Sequence, residues 1–120
     1  MQAVTATSYE ANYRAVTSAQ TPQELMELNV RVQRLRGKAP LLPNLFASLV
    51  KARQAAQTFT AKRNDFVKND GPQGFVTQLI RHLGAVSALE GSVSMLLTLA
   101  ESDEVIDEVG QLKIRLQSVS

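Results

Sequence analysis

Cysteine and tryptophan are both missing from this chain, and aromatic residues of any kind fill 5% of its 120 positions. Without cysteine, disulfides, thiolate metal sites and thiol nucleophiles are excluded. The absence fits a reducing setting, the cytoplasm or the interior of an assembled particle. With so few aromatics the core has to be built from Leu, Val, Ala and Ile, and Phe46, Phe59, Phe66 and Phe75 are its bulky pieces. The same shortage argues against a surface on which single-stranded bases would stack.

Histidine occurs once, at His82, and no acid stands three or four residues to either side of it. A general base or metal ligand needs such partners, so His82 reads as structural or solvated. Ser87, Ser92 and Ser94 sit in no nucleophile-elbow pattern, because Gly91-Ser92-Val93-Ser94 lacks the second glycine and a preceding strand. No catalytic residue, no metal ligand set, no cofactor and no small-molecule substrate is therefore expected. Long apolar runs are also missing. The nearest, 75–100, is interrupted by Arg81, His82, Glu90 and several serines, and reads as a buried bundle helix rather than a membrane span. Residues 1–8 have neither the basic nor the apolar region of a secretory signal, so none is expected.

What the chain does contain is helical punctuation. Tyr9, Tyr13 and Val16 recur at helical spacing over 8–19. Thr21-Pro22-Gln23-Glu24 then combines a capping threonine, a proline suited to the first helical position and a glutamate that completes a capping box. Leu25, Leu28, Val32 and Leu35 continue that helix, and Gly37 offers a stop. After a loop at 38–43, a third helix over 44–68 carries Leu45, Leu49, Ala52, Ala56, Phe59, Arg63 and Phe66 at steps of four and three. Arg63 falls on that apolar stripe, where it has to snorkel, pair with an acid or face a partner.

Asn69-Asp70-Gly71-Pro72 breaks the pattern, and Gly71-Pro72-Gln73-Gly74 reads as that break rather than as a backbone-clamping loop. A fourth helix over 73–100 places Val76, Leu79, Leu83, Val86, Val93 and Leu97 on one side. Gly84, Ala88 and Gly91 form a second, small-residue strip, and a kink at either glycine is the alternative. Ser102 or Asp103 can cap a fifth helix bearing Val105, Val109, Leu112, Leu116 and Val119, with Asp103, Glu104, Asp107 and Glu108 as a solvated first turn. The pattern predicts a single all-α domain over 1–120, a compact antiparallel bundle of four to five helices with no sheet. Leu49, Phe59, Leu79, Leu83, Val93, Leu97 and Leu112 are its expected core.

Charge is the feature that speaks to partners. Between positions 31 and 68 stand nine cations against Asp65, a balance of +8, flanked by segments of −2 and −4. Arg31, Arg34, Lys38, Lys51, Arg53, Lys62 and Lys68 are accordingly the candidate nucleic-acid contacts, since phosphate backbones reward distributed positive charge without demanding a motif. The competing account is charge complementarity, either within the chain against the acids at 101–108 and Glu27, or between subunits. The sequence thus predicts a non-catalytic helical subunit or adaptor of a larger assembly, bound to other protein subunits, with a basic face toward nucleic acid. A protein-only structural component of a virion or secretion apparatus, or an export chaperone, is the alternative.

Overall fold

A computed structural model describes the backbone of residues 6–119 and the side chains of 8–104, Val109 and Gly110. Four helices form: α1 (Ala6–Ser18), α2 (Pro22–Arg34), α3 (Leu42–Ala61) and α4 (Arg63–Val119). No strand occurs among the described residues.

The α2 start follows its local chemistry. Thr21 Oγ1 accepts from the Glu24 amide at 3.1 Å, and the Thr21 amide donates to Glu24 Oε1 at 3.3 Å, so the capping box closes in both directions. Its end does not use Gly37 as expected. The amides of Lys38 and Ala39 both reach the Leu35 carbonyl at 2.9 Å, and among the described residues only Gly71 has a positive φ.

The third helix is shorter than the stripe predicts, because the chain turns at Lys62, whose amide donates to the Phe59 carbonyl. The turn serves an aromatic cluster. Phe59 stacks on Phe75 with ring centroids 5.0 Å apart and also meets Phe66 at 4.4 Å and His82 at 4.8 Å. Arg63, freed from the stripe, lies over the Phe75 ring at 5.8 Å.

The single non-helical residue inside α4 is Gly71, at φ 81° and ψ 167°. That conformation suits glycine, and Pro72 then starts the main arm with its φ already helical. From Pro72 the helix runs unbroken to Val119, through Gly84 and Gly91, and no separate fifth helix begins at Ser102 or Asp103. The acids of 101–108 therefore lie in mid-helix rather than in a first turn. At about 1.5 Å per residue this arm is roughly 70 Å long, which accounts for a longest molecular dimension of 76 Å against 24 and 20 Å.

The core lies where the short helices meet the middle of this arm. Val16 and Ala19 of α1, Leu28 and Val32 of α2, and Leu42, Phe46 and Leu49 of α3 close around Val93, Leu97 and Ala100. The α3 helix runs antiparallel to α4, so that Phe59 meets Phe75 while Arg53 meets Glu90. Of the expected core, Leu49, Phe59, Val93 and Leu97 are buried and Leu79 is half-buried. Leu83 is 53% exposed, a correction to its expected place, and the Leu112 side chain lies outside those described.

Candidate interaction surfaces

The seven candidate nucleic-acid contacts divide by what holds them. Arg31 and Arg34 come from the last turn of α2 and converge on one acid of α4. Arg31 Nη2 donates to Glu101 Oε1 at 2.7 Å and to Asn12 Oδ1 at 2.8 Å, while Arg34 Nη2 lies 3.3 Å from Glu104 and 3.8 Å from Glu101. Arg31 thus turns to Glu101 rather than to Glu27, four residues before it. Asn12 completes the cluster by donating to Thr98 Oγ1 at 2.9 Å and to Glu101 Oε1 at 3.1 Å.

Arg53 occupies a different place. Its guanidinium donates to Glu90 Oε2 at 2.9 Å, to the Ala19 carbonyl at 3.0 Å and to the Val16 carbonyl. One α3 side chain thereby satisfies carbonyls at the end of α1, which a helix leaves without intrahelical donors, and neutralises an acid of α4. Side-chain exposure of 15% for Arg53 and 13% for Glu90 makes this the most enclosed ion pair described.

The remaining four differ again. Lys38 is exposed in the turn after α2 and borders a groove of about 360 Å³ with Leu41, Leu96, Leu99 and Asp103. Lys51 lies on α3, Lys62 at its end and Lys68 on the first segment of α4. These three are exposed, and their side chains have no ion pair or hydrogen bond with a described residue. The seven are therefore held in different ways: two pair with acids of α4, one clamps α1 internally, Lys38 borders a groove, and the side chains of three remain toward water.

Sequence reading missed Glu90 and Asn12 as partners of these arginines, whereas the acids at 101–108 were weighed as intramolecular partners and Glu101 and Glu104 take that place. Glu90 carried a usable signal, since a lone acid inside an otherwise apolar helix has to find a cation or stay wet.

A second surface appears along α4. At about 100° per residue, Val76, Ile80, Leu83 and Ser87 fall in the same roughly 60° sector as Ser94, Thr98 and Glu101. Over Ser94 to Glu101 that sector is covered by α1: Ser94 Oγ donates to the Tyr9 carbonyl at 3.2 Å, and a Cβ on Gly91 would stand 3.5 Å from the Tyr9 hydroxyl. Nearer Gly71 it is open, with Val76 49% and Ile80 64% exposed. The small-residue strip splits the same way, Gly91 lying beneath Tyr9 and Gly84 facing open space.

Uncovered apolar surface on this helix is extensive. An 18-residue window within Arg63–Glu104 has a mean hydropathy of 1.5, long and apolar enough by length and composition to cross a membrane, and 28% of it is buried by the rest of the chain. This corrects the expectation of a buried bundle helix. The segment before the Gly71 elbow carries exposed Lys62, Arg63 and Lys68 with Asp65 and Asp70, and Arg63 shares a groove with Val76.

His82 is half-buried against Phe59 and does not line the grooves at Asn12/Arg31/Thr98, at Leu41/Leu96/Leu99 or at Val67/Pro72/Val76. Among the described residues no group of three His, Asp or Glu side chains is gathered closely enough to hold a metal ion. Compared with protein-family models, with curated proteins and with solved structures, the chain matches none.

Proposed function

We propose that this chain is a non-catalytic helical subunit or adaptor, working in the cytoplasm or within an assembled particle, that joins other protein subunits through the open side of α4. The observation that carries the reading is the stripe of Val76, Ile80 and Leu83, each about half exposed or more. Contiguous exposed apolar surface is uncommon on a monomer unless something docks there. The ion pairs support a protein-facing role as well, because Arg31, Arg34 and Arg53 are engaged by acids of the same chain.

A second reading, nucleic-acid contact, is favoured by a narrower observation: Lys51, Lys62 and Lys68 stay exposed and unpaired among the described residues. The two readings part in one experiment. Tagged wild-type chain, an Ile80→Asp/Leu83→Asp variant and a Lys51→Glu/Lys62→Glu/Lys68→Glu variant are recovered from the native source and their companions compared. The assembly reading expects protein companions with wild type and the lysine variant and their loss from the stripe variant; retention by the stripe variant refutes it. Nucleic acid lost from the lysine variant, with a steep salt dependence on the wild type, would support the second reading instead. Recovery in the membrane fraction would reassign the apolar face to lipid.

A further inference from the structure

Two stretches of α4 reach beyond its packed middle, one on each side. Toward Gly71 lies the Val76/Ile80/Leu83 stripe. Beyond Ala100, where the core cluster ends, the helix continues to Val119, and the sequence there carries Val105, Val109, Leu112, Leu116 and Val119 at steps of four and three. Of these, Val109 is exposed. Both stretches belong to one helix without a break after Pro72, and Val76 and Val105 are about 44 Å apart along it. A straight helix cannot fold one onto the other, so any contact between them joins different molecules.

Their charges are complementary. The elbow before the first carries Lys62, Arg63 and Lys68 with Asp65 and Asp70, and the second carries Asp103, Asp107 and Glu108, beyond the already paired Glu101 and Glu104, before Lys113 and Arg115. The fold already uses this chemistry internally, where Glu90, Glu101 and Glu104 of α4 take arginines from α2 and α3. It also shows that a helix fits this sector, since α1 occupies it from Gly91 to Glu101 and leaves the adjoining length empty.

We propose that copies of this chain associate head to tail, the acidic distal arm of one α4 seating along the open stripe and basic elbow of the next. This rests on the assembly reading and deepens it by naming the partner as a second copy. The two surfaces differ, so the contact is heterologous and does not close by a two-fold; it propagates into open-ended oligomers unless a rotation closes a ring.

Sedimentation velocity of the purified full chain, over a range of concentrations at low and high salt, tests it. The sedimentation coefficient is expected to rise with concentration and to fall with salt. Ile80→Asp/Leu83→Asp should stay monomeric, with circular dichroism showing its helices intact. Asp107→Lys/Glu108→Lys should weaken association by about tenfold, and adding Lys62→Glu/Lys68→Glu to it should restore association. A wild-type chain that is monomeric throughout overturns the proposal. So does a discrete dimer insensitive to Asp107→Lys/Glu108→Lys, which would mean stripe against stripe. If the pure chain is monomeric while the stripe variant still loses its native companions, self-docking falls and the assembly reading stands; if the stripe variant keeps them, both fall.

Discussion

Val76 and Ser94 stand on the same side of one helix, about five turns apart, yet one faces water and the other lies under α1. The covered stretch is the more polar of the two. It presents Ser94, Thr98 and Glu101 to Asn12, Arg31 and the Tyr9 carbonyl, and no described buried side-chain polar atom lacks a partner. The open stretch presents Val76, Ile80 and Leu83. Burial along this sector therefore follows which surface a neighbour can satisfy rather than hydrophobicity alone. Small residues at Gly91 and Ser94 admit the Tyr9 side chain and carbonyl of α1, and arginines from α2 and α3 fix the acids beside it. Folding of the chain uses the first stretch, and the second stays open.

Core truncation gives the largest effect that would sharpen this contrast. Leu97→Ala removes a fully buried side chain and is expected to cost about 2 to 5 kcal/mol in urea denaturation. Leu83→Ala, on the exposed stretch, should change stability by less than about 1 kcal/mol. Equal losses would dissolve the distinction between the two stretches. Next comes the clamp. Arg53→Ala strands Glu90 and leaves the Ala19 and Val16 carbonyls without their donor, and should destabilise by about 2 to 4 kcal/mol. A double-mutant cycle with Glu90→Gln should return a positive coupling, and additivity would show that the pair does not hold α1.

Gly71→Ala tests the elbow. No atom lies within 4 Å of the added Cβ, so the expected loss of about 1 to 2 kcal/mol comes from the positive φ alone. A stability at or above wild type would show that the elbow is not held in that conformation. The smallest effect belongs to Arg34→Ala, whose side chain is 55% exposed; less than about 1 kcal/mol is expected, and less still at high salt.

Local signals carried well into the structure where the interaction is short in sequence. The Thr21/Glu24 box and the Gly71-Pro72 break each depend on a few neighbouring residues and appear as expected. The stripes of α2 and of early α3 also found the core, as Leu28, Val32 and Leu49 show. Periodicity misplaced Leu83 because it names the apolar side of a helix without saying how far along the helix its neighbours reach. The separate fifth helix failed for a related reason: Ser102 and Asp103 can cap, but nothing after Ala100 breaks the helical hydrogen-bond ladder, so the chain continues through them.

By itself the sequence determined an all-helical chain, its first three helices, the glycine-proline break and an uneven charge, because these depend on near neighbours and composition. Tertiary structure decided how that charge is used. Arg31 and Arg34 meet Glu101 and Glu104 from 70 positions away, and Arg53 meets Glu90 and the end of α1. Arg31 and Lys51 look alike as cations in the chain. They differ only once folding brings an acid within 3 Å of one and leaves the other in water, since an ion pair is fixed by distance and dielectric, which a linear sequence does not contain.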